Sequence, residues 1–151
     1  MSEPLVSVVI ASYNRFDSLQ NSLNSVLEQD YENFEIIVVN DDSDDKRYYE
    51  KNSNKKIKFI HINRSETPDW GGARKPIINI GVDQSKGKYI AFLDDDDIWM
   101  PNKLRKQIKQ LEEKRYKFSS TEGFYGKGFY NKEKNYPLYN KQRWKKFIKR
   151  K

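Results

Sequence analysis

Four consecutive aspartates, Asp94–Asp97, follow the apolar run Lys88–Leu93 (KYIAFL). Two more polar clusters follow apolar runs in the same way: Ala11-Ser12-Tyr13-Asn14 after Leu5–Ile10, and Asn40-Asp41-Asp42-Ser43 after Phe34–Val39. Adjacent carboxylates repel. Two unit charges 4 Å apart cost about 1 kcal/mol in water and about 4 kcal/mol at an effective dielectric near 20. Such a run persists in full solvent, as a turn whose last aspartate helps cap the next helix, or around a cation. Oxygen-only ligation favours Mg2+ or Mn2+, held by one or two carboxylates together with substrate phosphates. A second acidic cluster on the same rim adds weight to the cation.

Phosphate chemistry leaves fewer traces. The chain has no GxxxxGK[ST] loop, and Gly71-Gly72 does not continue into a dinucleotide fingerprint. Arg74 and Lys75, beside a helix start, fit either a phosphate contact or a solvated pair. Asp94 and Asp96 mimic the aspartate pair of a metal-dependent phosphatase, but they follow a late strand and lack the accompanying Thr or Val. His61 sits in an alternating segment and reads as structural. Trp99 reads as a packing anchor, and Trp70 lies in a polar loop before Gly71.

The elements that must position these groups are legible in the apolar pattern. Leu5–Ile10, short and β-branched, and Phe34–Val39 read as buried strands, Ile57–Ile62 alternates as a third strand with one wetter face, and Lys88–Leu93 reads as a fourth. Phe16, Leu19, Leu23, Val26 and Leu27 form one helical face, with Asp17 and Gln20 spaced as a capping box. Asp44–Lys56 reads as a short surface helix. Pro76–Ser85 and the segment opened by Pro101, with Leu104, Ile108 and Leu111 on one face, read as further helices. Tyr116–Thr121 reads as a late strand. Alternating strands and helices predict an α/β fold, a mostly parallel sheet with helices on both faces. Ligands of such sheets bind at the carboxyl ends of the strands, where the three polar clusters should converge.

Composition excludes several classes. With 151 residues, one domain is expected. There is no cysteine and a single histidine, so neither a disulfide framework nor a multi-histidine metal centre can form. No apolar run approaches the ~20 residues of a membrane span, and no basic-then-apolar leader opens the chain. The expectation is a cytoplasmic protein, with peripheral membrane association through a basic tail and a homo-oligomer both left open. The net charge of +7 is divided unevenly. Residues 1–101 carry 12 basic and 18 acidic side chains, and residues 102–151 carry 17 and 4. Basic segments with interleaved aromatics bind single-stranded nucleic acid in some proteins. Equally, this segment could begin a further folded region, which its need for packing partners favours.

Taken together, VSVVIASYNR (Val6–Arg15), FEIIVVNDDS (Phe34–Ser43) and GKYIAFLDDDDIWMP (Gly87–Pro101) resemble the nucleotide-binding half of family 2 glycosyltransferases, which have the Rossmann-like GT-A fold. The resemblance runs from about residue 4 to 111. It implies a nucleotide-sugar core over 1–115 and a basic, aromatic-rich start of an acceptor region over 116–151, within the same domain. It further implies that Ala11, Ser12, Tyr13 and Arg15 line the nucleotide and that Asp41 receives the base N–H, often that of uracil. Asp94 to Asp96 resemble the D-x-D motif: Asp94 or Asp95 would meet ribose or pyrophosphate, and Asp96 would ligate Mn2+ or Mg2+. The family often has an Arg before the Asn of the preceding helix; here Ile78 precedes Asn79, and either Arg74 takes that place or no residue does. The family's general base lies far beyond the D-x-D, where this chain offers Glu122 and Glu133; Glu122 is the candidate. The implied activity is metal-dependent, inverting transfer from a nucleotide-diphospho-sugar, UDP-sugar favoured, to an unidentified acceptor. The alternative is a catalytically silent module binding a nucleotide-sugar or polyanion.

Overall fold

The computed structural model describes residues 3–65, 69–70, 73–74, 77–126, 128, 131 and 133–138. Its core is a four-stranded parallel sheet of β1 (Val6–Ser12), β2 (Phe34–Asn40), β3 (Ile57–His61) and β6 (Tyr89–Phe92), in the order β3-β2-β1-β6. β4 (Asp69–Trp70) and β5 (Ala73–Arg74) form a separate antiparallel pair. The helices are α1 (Phe16–Leu27), α2 (Ile77–Asp83) and α3 (Lys103–Lys114).

β-Branched side chains explain the centre. Val6, Val8, Val9 and Ile10 of β1 and Ile36–Val39 of β2 are wholly buried, so both faces of the inner strands are covered. The chain passes from β1 through α1 to β2 in one direction across the sheet, and from β3 through α2 to β6 in the other. Right-handed crossovers running in opposite directions put the two helices on opposite faces. α2 lies on the face of Ile37 and Val39, with Ile77 and Ile80 packed against them. The contact at Gly81 is so close that a Cβ there would stand 2.3 Å from Val9 Cγ1.

The reversal of direction falls between β1 and β6. In an open sheet the loops leaving two such strands diverge and leave a crevice. Here they are the segments after Ser12 and after Phe92, which contain the first polar cluster and the aspartates.

The structure corrects four local expectations. α1 has Arg15, not Asp17, at its N-cap, with no side-chain cap; Asp17 instead takes a hydrogen bond from Arg47 Nη1 at 2.6 Å. The expected surface helix over 44–56 shrinks to one 3-10 turn, Lys46–Tyr49, capped by Asp45, because its run of polar residues offers one buried anchor, Tyr48. α3 begins at Lys103, two residues after Pro101. Tyr116–Thr121 is not a strand: Phe118 is 85% exposed, and the sole bridge among the described residues there joins Phe124 to Leu138. The expected helix start at Pro76 lies outside the described residues, as do Gly71, Gly72 and Lys75. The chain divides into two compact units, Met1–Arg105 and Lys106–Lys151.

Candidate functional site

Apart from Glu122, the residues discussed next belong to the first unit. The acidic loop is held from below by α1. Ser22 and Ser25 on that helix, and Gln29 two residues beyond its end, are all buried. Ser22 Oγ donates to the Asp97 carbonyl at 2.7 Å, and Ser25 Oγ accepts from the Trp99 N–H at 3.1 Å. Gln29 donates through Nε2 to the Met100 carbonyl at 2.8 Å and accepts from the Leu104 N–H through Oε1 at 3.0 Å. Three polar side chains thus replace the backbone partners that residues 94–104 would otherwise lack. Trp99, 7% exposed, packs as expected, with Lys103 Nζ 4.2 Å from its ring centre.

Above that support the three polar clusters meet. Ser12 Oγ donates to Asp95 Oδ2 at 2.7 Å, joining the ends of β1 and β6. Tyr48 Oη is 2.5 Å from Ser12 Oγ and accepts the Arg15 N–H at 3.0 Å. With the serine proton committed to the carboxylate, the tyrosine proton points to the serine. A directed chain runs from the Arg15 N–H through Tyr48 and Ser12 to Asp95. Arg15 Nη1 closes it by reaching Asp95 Oδ1 at 3.3 Å and Asp96 Oδ2 at 3.1 Å. β2 joins through the Asp41 N–H, which donates to the Ser12 carbonyl at 2.9 Å.

The first two loops are also locked to each other. Asn14 and Asp42 adopt left-handed backbone (φ 50° and 60°), which Asn and Asp tolerate better than most residues. The Asn14 N–H donates to Ser43 Oγ at 2.9 Å, and the Asp44 N–H donates to Asn14 Oδ1 at 2.9 Å. Asn40, buried at the end of β2, accepts from the Ser43 N–H and lies 3.2 Å from His61 Nδ1. That contact, with Tyr49 stacked on the imidazole at 4.6 Å, makes His61 structural as expected; partial burial pushes its pKa down.

Asp95 turns inward and is 6% exposed, whereas Asp94 and Asp96 face solvent. Burial and the neighbouring charges of Asp94 and Asp96 push the Asp97 carboxyl above its usual range. Tyr13 is 43% exposed beside Asp41. Arg64, at the carboxyl end of β3, donates through Nε to Asp41 Oδ1 at 3.1 Å and through Nη2 to Asp41 Oδ2, and its Cζ lies 4.4 Å from the Tyr13 ring centre. Arg74 belongs to β5, with its side chain outside the described residues. Glu122 is exposed in the second unit.

Sequence reasoning missed Tyr48 and Arg64. The rule that flagged the other strand ends would have found Arg64, two residues beyond Ile62. Tyr48, an aromatic among charges, left no comparable signal.

Among the described residues, no three Asp, Glu or His side chains gather into a metal cage. The donor set fits a different arrangement. Asp94 and Asp96 are exposed carboxylates, the latter paired with Arg15, and their oxygens are of the hard kind that Mg2+ and Mn2+ take.

The family model "Glycosyl transferase family 2" matches residues 7–151. The chain belongs to glycosyl transferase family 2. It is 43% identical over 121 residues to an uncharacterized glycosyltransferase of Rickettsia bellii (strain RML369-C), covering 77% of this chain and 16% of that protein. It is 37% identical over 125 residues to the UDP-Glc:alpha-D-GlcNAc-diphosphoundecaprenol beta-1,3-glucosyltransferase WfaP of Escherichia coli, covering 83% of this chain and 48% of that one. Among solved structures it is similar to S. aureus TarS 1-349 in complex with UDP-GlcNAc, with 27% identity and a TM-score of 0.60 over 72% of this chain and 31% of that one. The chain therefore spans less than half the length of each of these relatives. The α/β, GT-A fold expected from the sequence is the one observed, and this family 2 chain keeps its three strand-end motifs on one rim of the sheet.

Proposed function

We propose that the crevice between β1 and β6 binds a nucleotide-diphospho-sugar, with a uridine nucleotide favoured, and that the chain is the donor half of a glycosyltransferase. The observation that carries this reading is the joining of Ser12 to Asp95, which fixes the β1 loop and the acidic loop on one rim beside Asp41. The E. coli relative uses UDP-Glc and the S. aureus neighbour binds UDP-GlcNAc, which supports the choice of base.

In this reading the ring of Tyr13 supplies a face for the base, and Asp41 accepts its N–H. Ala11 and Ser12 bring the backbone of the β1 loop against the nucleotide. Arg15 and Arg74 meet diphosphate oxygens, Asp94 meets ribose or pyrophosphate, and Asp95, already committed to Ser12 and Arg15, keeps the loop in place. Asp96 is the ligand for Mn2+ or Mg2+. The cation, when bound, neutralises negative charge on the departing diphosphate. An acceptor hydroxyl attacks the anomeric carbon from the side opposite the diphosphate. The new C–O bond forms as the bond to the diphosphate breaks, the electron pair leaves with the diphosphate, and configuration inverts. The hydroxyl proton passes to a carboxylate base.

Ligand-observed NMR with UDP-glucose, UDP-GlcNAc and GDP-mannose tests the donor reading. Saturation transfer to both uridine donors, abolished by excess UDP, is expected. Equal transfer to all three, undisturbed by UDP, contradicts it.

A further inference from the structure

The contact between Arg64, Asp41 and Tyr13 has the form of a bound base. A guanidinium is flat, and this one lies on the Tyr13 ring while its edge gives Asp41 two N–H groups, Nε–H to Oδ1 and Nη2–H to Oδ2. A uracil on the same platform needs the same ring face and the same carboxylate. Arg64 is anchored where it stands, since its own backbone N–H donates to Asp42 Oδ2 at 3.2 Å. We propose that Arg64 stands in for the base in the free protein and that a nucleoside enters by exchanging with its guanidinium, so that Arg64 sets donor affinity by competition. The inference rests on the donor reading above and adds a competitor to it.

The exchange has a definite direction of cost. The guanidinium presents two charge-assisted donors to Asp41, whereas uracil presents one neutral imide N–H, so each nucleoside bound forfeits part of an existing ion pair. The Asp41 carboxylate is 17% exposed and the Arg64 side chain 35% exposed, so the pair is only partly screened by solvent. Removing the competitor should tighten nucleoside binding. Uridine is the right first probe because it has no phosphate, and the loss of a positive charge cannot then weaken binding through the diphosphate.

The experiment follows the arginine side-chain N–H signals of 15N-labelled protein, with Arg64 Nε–H assigned by its absence in Arg64→Lys. Titration with uridine, then UDP, should move or broaden that signal in step with occupancy. Arg64→Ala should bind uridine about tenfold more tightly than wild type, from the net worth of a partly exposed charge-assisted bond. Nucleoside binding that leaves the Arg64 signal in place overturns the proposal while the donor reading stands, as does unchanged or weaker binding by Arg64→Ala. Binding by Arg64→Ala without binding by wild type supports it. If neither protein binds uridine or UDP, the donor reading fails and takes this proposal with it. Should Arg64→Ala not fold, the wild-type titration decides alone.

Discussion

Ser12 and Asp95, 83 residues apart in sequence, share a 2.7 Å hydrogen bond at the point where the sheet changes direction. Both residues are buried, and the bond couples the loop after β1 to the acidic loop after β6. Ser12→Ala removes the donor to a buried carboxylate and the partner of Tyr48. We expect a loss of about 1–3 kcal/mol in urea unfolding, the usual cost of stranding a buried polar group. Asp96→Ala, on an exposed side chain, should stay within about 0.5 kcal/mol of wild type.

The close seat of α2 makes its own prediction. A methyl at Gly81 would stand 2.3 Å from Val9 Cγ1 and 3.1 Å from Val39 Cγ2, both on central strands. Gly81→Ala should therefore destabilise the fold by about 1–3 kcal/mol despite the better helix propensity of alanine, because neither strand can retreat. Thermal unfolding checks it; unchanged stability would mean that α2 shifts freely over the sheet.

Repulsion inside the acidic loop should be visible as a pH effect. Asp97 has a folded-state pKa above its usual value, so the folded state holds its proton to higher pH than the unfolded state does. Stability contributed by this group falls as pH rises through that window, and the cost stays constant above it. Asp97→Asn should thus raise the unfolding temperature near neutral pH, and the gain should vanish once the solution is acidic enough to protonate Asp97 in both states. A gain independent of pH would point to packing instead of charge.

The sheet was legible in the sequence because parallel strands buried on both faces need near-continuous β-branched runs, and Val6–Ile10 and Ile36–Val39 are such runs. The same logic, that ligand groups gather at the carboxyl ends of parallel strands, picks out Ser12, Asp41 and the aspartates. What failed depended on partners distant in sequence. Asp17 has capping-box spacing, yet Arg47, 30 residues away, takes its carboxylate. Tyr48 lies in a charged segment, and nothing local announces that its hydroxyl will sit between Arg15 and Ser12. The inward turn of Asp95 is invisible among four identical residues, since only the position of Ser12 distinguishes it. Tyr116–Thr121 carries apolar aromatics without alternating burial, which reads as a strand by composition and is not one.

Calorimetry with UDP in the presence and absence of Mn2+ tests the central claim most directly. Wild type should bind UDP more tightly with Mn2+. Asp96→Ala should lose that Mn2+ dependence, and Asp41→Ala should weaken UDP binding about tenfold or more, as expected for loss of a charge-assisted contact to the base. No binding by wild type, or binding unchanged in both variants, would contradict the assignment of this crevice to a nucleotide-sugar donor.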